Sequence, residues 1–455
     1  MPGEKRRLSS RRQAEAHPLR KVLAVDDNPL EPHPLIPERP RWSHRLRGLT
    51  MDLTPLRTSR EYRLLWLGSG ISYIGTQLTF VAIPYQVYRI TGSTLAVGLT
   101  ALFELVPLLL LSLVGGAVAD AVDRRKLLLV TDSLLALNSL ILALHATGDN
   151  PKVWILYALA AVNAGLYAMG SPGLRSATPH LLPPEQLVAA AALTGSVQNL
   201  GAVAGPMIAG TLIAVIGLPW TYGLDLLTYL VSIVFIFLIA PIPPLPDSNR
   251  VSARSVLDGI RFLKGRHVLQ GSFVVDINAM VFGMPTALFP AFALERYGGG
   301  PEIVGFLYAA PSAGALLAAL LSGWTGKIRR QGLAVYIAVL SWGGSLVAFG
   351  LSATLLLGLV FLAIAGAADE ISAIFRNAIL QTAAPKHMQG RLSGLELAVV
   401  ASGPSLGDLE AGVVASATSI GFAVVSGGFL CIAGVGVIAL LMPQFARYDA
   451  RNPTP

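Results

Sequence analysis

Apolar stretches of about 20 residues follow one another almost without a break from Leu64 to Met442. In helical form that length crosses the hydrocarbon core of a bilayer. The pattern predicts helices over 64–88, 97–119, 126–147, 153–172, 188–216 and 222–240. After a polar interval it predicts six more, over 268–294, 302–323, 332–350, 353–376, 391–417 and 422–442. Leu105–Val118 and Leu351–Ala368 carry no charge at all. Two such segments could be signal anchors or buried core helices, but twelve in series predict a polytopic membrane protein. Membrane strands would be shorter and alternate in polarity. These runs are apolar on every face, so the expected fold class is an all-α membrane protein with twelve transmembrane helices in two pseudo-symmetric six-helix bundles. The polar interval 241–267 separates the two sets. The expected organisation is a basic, Pro/Arg-rich cytoplasmic tail (1–60), a first bundle (61–243), a cytoplasmic linker (244–266), a second bundle (267–445) and a short cytoplasmic tail (446–455).

Composition sharpens this picture. The chain is 53% hydrophobic and 13% charged, about half the charged share of a soluble domain. Its 46 glycines recur inside the apolar runs, as expected where membrane helices pack on small residues. The single cysteine, Cys431, excludes an intrachain disulfide and a thiolate metal cluster. The seven histidines are scattered, so no metal or cofactor is expected. The chain has no G-x-x-x-x-G-K-[ST] phosphate loop and no G-x-S-x-G elbow, which argues against direct use of ATP and against a hydrolase. Residues 1–63 hold 14 Lys/Arg against 8 Asp/Glu, a surplus of +6 within the total of +8. The basic excess thus belongs to a tail that can graze anionic lipid, and no nucleic-acid partner is expected. Residues 1–50 lack the apolar run of a signal peptide, and Met51 is an expected alternative start. Lys and Arg are unevenly distributed over the connections, with 15 on the even-numbered ones and three (Arg89, Lys152, Arg296) on the others. That asymmetry predicts a cell-membrane protein with both termini cytoplasmic.

Two local patterns recur in the halves. Gly115-Gly116 through Asp120, Asp123, Arg124, Arg125 and Lys126 closes the second predicted helix, and Ser322–Arg330 closes the eighth. Gly205-Pro206 on the fifth predicted helix matches Gly403-Pro404 on the eleventh, 198 residues later. Two repeats with a path between them are a transporter plan. In the first pattern Gly116 and its neighbours allow a close helix approach. Asp120 stands where it could cap the next helix or pair with Arg124 or Arg125, forming a gate latch. In the second, Gly201, Gly205 and Gly210 give a small-residue face, and Pro206 bends the helix.

These residues resemble the major facilitator superfamily. Gly116, Val118, Ala119, Asp120, Arg124 and Arg125 fit its loop motif G-x-L-a-D-r-x-G-r-k, while Ala121 and Asp123 depart from it. Gly201, Gly205, Pro206 and Gly210 resemble its antiporter motif g-x-x-x-G-P-x-x-G-G, with Ala209 in place of one glycine. Gly305–Ala315, Leu380–Pro385, Gly390–Gly394, Gly259–Leu263 and Leu56–Trp66 look like the siderophore (enterobactin) exporter branch, and the resemblance spans about residues 54–442. It implies a proton-coupled exporter working by alternating access, with helices 1, 4, 7 and 10 lining the path and a siderophore as cargo. Relatives of that branch export macrolides and tetracyclines, so a multidrug efflux antiporter stays open. A membrane-bound lipid-handling enzyme is the alternative of another class, without a catalytic cluster to support it. The expected partners are small-molecule cargo, protons and the bilayer, and the expected state is a monomer.

Charges inside the bilayer supply the site candidates, because each costs a few kcal/mol at a helix centre and usually faces protein or water. Asp369, Ser372 and Arg376 fall on one stripe of the tenth predicted helix, beside Glu370. Asp276 on the seventh is expected at the level of Asp369. The resemblance would put Asp276, Asp369 and Glu370 at the path, where a carboxylate can exchange a proton. The plain alternative is a fixed pair of Asp369 or Glu370 with Arg376. Glu104, three residues before Pro107, is a candidate for proton handling or for satisfying the backbone that Pro107 leaves free. Glu396, Asp408 and Glu410 are weaker candidates. Gln77, Asn163, Tyr167 and Asn278 are polar residues expected to line the cavity.

Overall fold

The computed structural model describes residues 51–243 and 261–451. Residues 1–50 of the tail expected over 1–60, most of the linker and the last four residues lie outside the described residues. Long helices carry the fold, and no strand occurs among the described residues. We number them α1 (Arg60–Thr91), α2 (Thr94–Ala121), α3 (Arg124–Ala146), α4 (Val153–Leu181), α7 (His267–Phe282), α8 (Pro301–Leu320), α9 (Gln331–Leu351), α10 (Leu355–Ala383), α11 (Lys386–Ala417) and α12 (Ile420–Leu441). Between α4 and α7, Leu187–Phe237 is one helical run broken at Gly217, whose φ of +80° suits only glycine. Its arms, 187–216 and 218–237, are α5 and α6.

The ends are set by local chemistry. Ser59 accepts from the backbone N–H of Tyr62 and Ser93 from that of Ala96, each satisfying a free donor at a helix start. Gly92, at φ +59°, stops α1 in the left-handed cap conformation.

Two elements depart from the sequence pattern. α4 runs nine residues past its expected end, through Pro172 and Pro179 to Leu181. Its extension is held because Gly173 lies against Leu127 and Ala177 is buried with Leu65, Leu128 and Ile236. α7 breaks at Gly283–Pro285 and resumes over Thr286–Arg296. Proline removes a backbone donor there, and a side chain from α11 takes over the exposed end. Asp408 Oδ1 accepts from the Ala287 N–H (2.7 Å) and from Thr286 Oγ1 (2.5 Å).

Among the described residues, ten helices are long and apolar enough to cross a membrane, one of them holding both α5 and α6. α1 is not among the ten. Its polar residues bond inside the bundle: Thr76 Oγ1 to the Tyr229 hydroxyl (2.9 Å) and Thr79 Oγ1 to Asp225 (2.6 Å).

Helix pairing repeats between the halves. α1 lies on α5 and α6, α2 on α4, and α3 on α6. Likewise α7 lies on α11 and α12, α8 on α10, and α9 on α12. The chain is thus built as two related six-helix bundles.

The bundles meet through α5 with α8 and α2 with α11. A Cβ on Gly210 would stand 2.4 Å from the Pro301 carbonyl, and one on Gly305 2.3 Å from that of Pro206. Gly98 and Gly412 make the corresponding contact between α2 and α11. Tyr88 on α1 donates to Glu295 across the same end, and Thr94 Oγ1 donates to the Gly412 carbonyl (3.2 Å). At the opposite end of these helices Gly116, Gly195, Gly390 and Gly394 face open space. The bundles therefore touch at one end and part at the other. The parted end carries Arg124, Arg125, Arg175, Arg330, Lys386 and Arg391, and we call it the basic end.

Two glycine substitutions separate packing within a bundle from packing between bundles. Gly314→Val, whose Cβ would stand 1.7 Å from the Ala363 carbonyl, is expected to cost about 1–3 kcal/mol by overpacking and to lower the thermal midpoint in detergent. Gly305→Val is expected to leave that midpoint nearly unchanged but to raise thiol labelling of a cysteine placed at the buried Thr94. Cys431 is fully buried and adds little background.

Candidate transport path

A cavity of about 520 Å³ opens in the first bundle toward the basic end. α1 contributes Trp66 and Tyr73, α3 Asp132, α4 Tyr167 and Arg175, α5 Gln198 and α6 Tyr229. Glycines at 70, 170 and 195 also line it, and a Cβ on Gly195 would meet open space. Tyr167, 43% exposed, lies on the wall of this cavity. Asn163, one turn away, is half-buried with its Nδ2 unpartnered among the described residues.

The other two polar candidates are placed differently. Gln77 packs its stem on Gly205, filling the contact between α1 and α5. Asn278 does not line a cavity. It is buried between α7 and α12, donating to the Cys431 carbonyl (2.9 Å). An amide in an apolar helix must find a partner, and here the backbone of α12 supplies it.

In the loop between α2 and α3, Asp123 is the cap, not Asp120. Asp123 Oδ1 accepts from the N–H groups of Arg125 (2.9 Å) and Lys126 (3.4 Å) and from that of Ile242 (3.2 Å). Asp120 lies three residues earlier, in the last turn of α2, too far back to reach those donors. It makes no hydrogen bond or ion pair among the described residues. Arg124 and Arg125 bind neither carboxylate. Buried Arg124 donates to Ser176 Oγ (2.9 Å) and the Pro243 carbonyl (2.8 Å). Arg125 donates to the Ile236 (3.3 Å) and Phe237 (2.5 Å) carbonyls and lies over the Phe237 ring. Both cations thus satisfy carbonyls at and beyond the C-terminus of α6, where the helix dipole favours positive charge. The close approach to α4 falls on Gly115, against Met169, while Gly116 is open.

The motif on α5 does two jobs. Gly201 and Gly205 receive Tyr73 and Gln77 of α1, within the first bundle. Gly210 and the carbonyl of Pro206 meet α8, across the bundle interface.

Among the second-bundle charges, Arg376 pairs with Asp276, not with Asp369 or Glu370. Both members are buried, 7% and 3% exposed, which also takes Asp276 away from any open path in this state. The expected common level of Asp276 and Asp369 fails for the same reason. Asp276 sits opposite Arg376, two helical turns nearer the basic end than Asp369. Glu396 of α11 lies close enough to act on the same guanidinium. Asp369 and Glu370 are half-buried neighbours. Arg376 therefore belongs inside α10, not with the connection charges of the basic end. Glu104 stands near Asp408 at the bundle interface and makes no hydrogen bond among the described residues.

Two carboxylates escaped the sequence reading. Asp225 of α6 is fully buried, and its Oδ2 accepts from Thr79 Oγ1 (2.6 Å) and Ser139 Oγ (2.7 Å), tying α1, α3 and α6 together. Asp132 of α3 accepts from Ser232 Oγ (2.7 Å) in the cavity wall. The signal was available: each is a carboxylate inside an apolar run, the cue that singled out Asp276.

Residues 50–455 match the family described as transmembrane secretion effector. The chain belongs to this family of major facilitator transporters. It is 30% identical over 406 residues to the enterobactin exporter EntS of Citrobacter koseri, covering 89% of this chain and 97% of the relative. Against the enterobactin exporter EntS of Shigella boydii it is 31% identical over 404 residues, covering 89% and 97%. Among solved structures, a peptide transporter POT in complex with sulfate superposes with a TM-score of 0.70 at 12% identity, covering 86% of this chain and 96% of that one. A bacterial homologue of the human lysosomal transporter Spinster, inward-facing and unoccupied, gives 0.62 at 16% identity, with 86% and 97% covered. These structural likenesses establish the fold. The family is one of transporters, so the lipid-handling enzyme reading falls away.

Removing one member of a buried ion pair leaves the other uncompensated, at a cost of about 3–5 kcal/mol. Asp276→Asn and Arg376→Met are each expected to lower thermal stability by that order. The double variant is expected to recover most of the loss. Unfolding of the purified proteins in detergent measures both.

Proposed function

We propose that this protein is a secondary active exporter of a siderophore, moving cargo by alternating access against proton entry. The observation that carries this reading is the contact pattern of the bundles: closed at one end on glycine and backbone, parted at the basic end, with a cavity opening there. A chain of this family in that state is poised to load cargo from the basic side. The excess of Lys and Arg at that end makes it the cytoplasmic side of the cell membrane, with α1 as the twelfth span and both termini inside. Likeness to enterobactin exporters along nearly their whole length supports the cargo class. The units that move are residues 61–243 and 267–445, rocking about the α2–α11 and α5–α8 contacts. The protein works as a monomer, since a path between two bundles of one chain needs no second copy. Glu104, near Asp408 where the bundles meet, is a candidate for carrying the proton, with Asp369 and Glu370 beside the path in the second bundle.

One observation favours a second reading, a multidrug antiporter. Asp132 among aromatic residues would also suit an organic cation.

The test is the metabolite profile of a deletion strain and its complement under iron limitation. Siderophore should fall outside the deletion cells and rise within them, with complementation reversing both. Unchanged profiles together with raised drug accumulation would replace the siderophore with a drug. Glu104→Gln is expected to abolish export while leaving the protein folded. An uncoupler that dissipates the proton gradient is expected to stop export by the wild type.

A further inference from the structure

The turn between α8 and α9 repeats the pattern of the turn between α2 and α3, but its cations are differently engaged. In the first bundle both arginines donate to carbonyls at and beyond the end of α6. In the second, Arg329 pairs with Asp449 (2.9 Å), while the exposed Lys327 and Arg330 make no hydrogen bond or ion pair among the described residues. Arg330 stands at one end of a groove of about 480 Å³ between α9 and α10. Trp324 of the turn lies at the same end, its ring edge-on to Phe375 of α10 with centroids 6.2 Å apart. Beyond them the lining is apolar apart from Ser341, whose hydroxyl donates to the Ile337 carbonyl (2.9 Å). Among the described residues no carboxylate lines the groove. Leu333, Ile337 and Ile364 along it are exposed, and α9 packs on α10 and α12, away from the α5–α8 and α2–α11 contacts. The groove therefore opens sideways to hydrocarbon and not into the transport path.

We propose that this groove holds one acyl chain of an anionic phospholipid, with the lipid's phosphate against Lys327 and Arg330. The partner is a constituent of the bilayer, so the site is independent of the cargo. From Arg330 to Ser341 the groove follows α9 for 11 residues, about 16 Å at the helical rise. That is close to half of a hydrocarbon core about 30 Å thick, the depth of one leaflet. Two cations without counter-ions at one end suit a headgroup of net negative charge. A zwitterionic headgroup would bring its own ammonium against them. Trp324 stands at that same end, and indole rings favour headgroup level. Bound there, the lipid braces a turn whose other cation, Arg329, is already tied to the C-terminal segment.

The test is native mass spectrometry of the purified, delipidated full chain. It is titrated with phosphatidylglycerol, with phosphatidylcholine of the same chains, and with glycerol 3-phosphate. Phosphatidylglycerol is expected to bind one site at least about tenfold more tightly than phosphatidylcholine, because two basic side chains act on its charge. Glycerol 3-phosphate, an anion without a chain, is expected not to bind. Lys327→Gln combined with Arg330→Gln should abolish the preference. Ala367→Phe, which fills the groove from the α10 wall, should weaken both phospholipids about tenfold by excluding part of the chain. Lys126→Gln combined with Lys386→Gln removes two exposed cations elsewhere at the basic end and should leave the preference intact. Equal affinity for the two phospholipids, tight binding of glycerol 3-phosphate, or a preference that survives loss of Lys327 and Arg330 would overturn the site. Phospholipid binding unchanged in Ala367→Phe would do the same. So would loss of the preference in the Lys126 and Lys386 variant, which would assign it to the net charge of that end. Should Ala367→Phe fail to fold, the Lys327 and Arg330 variant, altered only at exposed positions, decides alone.

Discussion

Everything in this structure depends on two helix pairs that cross between bundles with no side chain in the way. Gly210 and Gly305 bring α5 and α8 to backbone contact, and Gly98 and Gly412 do the same for α2 and α11. Lipid offers no hydrophobic drive for helices to associate, so close backbone packing and a few hydrogen bonds must hold them. Such contacts lack interlocking side chains, so they can hinge and part. Within each bundle the packing is different. Asp225 ties three helices of the first bundle, and the Asp276–Arg376 pair ties two of the second. Rigid bundles with a slippery seam are what alternating access requires mechanically.

Charge is arranged to suit that division. The basic residues following α2 are spent on the carbonyls around the end of α6, which fixes the first bundle's basic end as a unit. Asp120, one turn away, makes no hydrogen bond or ion pair among the described residues. The broken α7 is braced by Asp408 from α11, again within one bundle. Few polar bonds cross the seam, and those that do, such as Tyr88 to Glu295, lie at the closed end.

Much of this fold was legible in the sequence because the bilayer imposes length. Runs of apolar residues fix where helices lie, and a polar interval fixes where the halves divide. Partner choice was less legible. A helix apolar on all faces gives no sign of which face meets which neighbour, so Arg376 could be matched to its stripe-mate Asp369 when its partner lay across on α7. Asn278 looked like a lining residue because polarity alone cannot distinguish a cavity from a neighbouring carbonyl. The end expected at 172 lies inside α4, which continues to Leu181, while Pro285 marks a break within the expected 268–294 whose cap comes from 122 residues along the chain. The small-residue face of α5 was visible in the sequence, but not the neighbours it meets. That it serves both its own bundle and the seam required three dimensions.

The most direct test of the account is the distance between spin labels on opposite bundles, measured at each end in turn. Val188 on α5 and Leu320 on α8 are exposed toward the basic end, and Ile90 on α1 and Thr418 after α11 lie at the closed end. On lowering the pH or adding cargo, the first distance is expected to shorten while the second lengthens, in the same molecules. Export that proceeds with both distances fixed would contradict it.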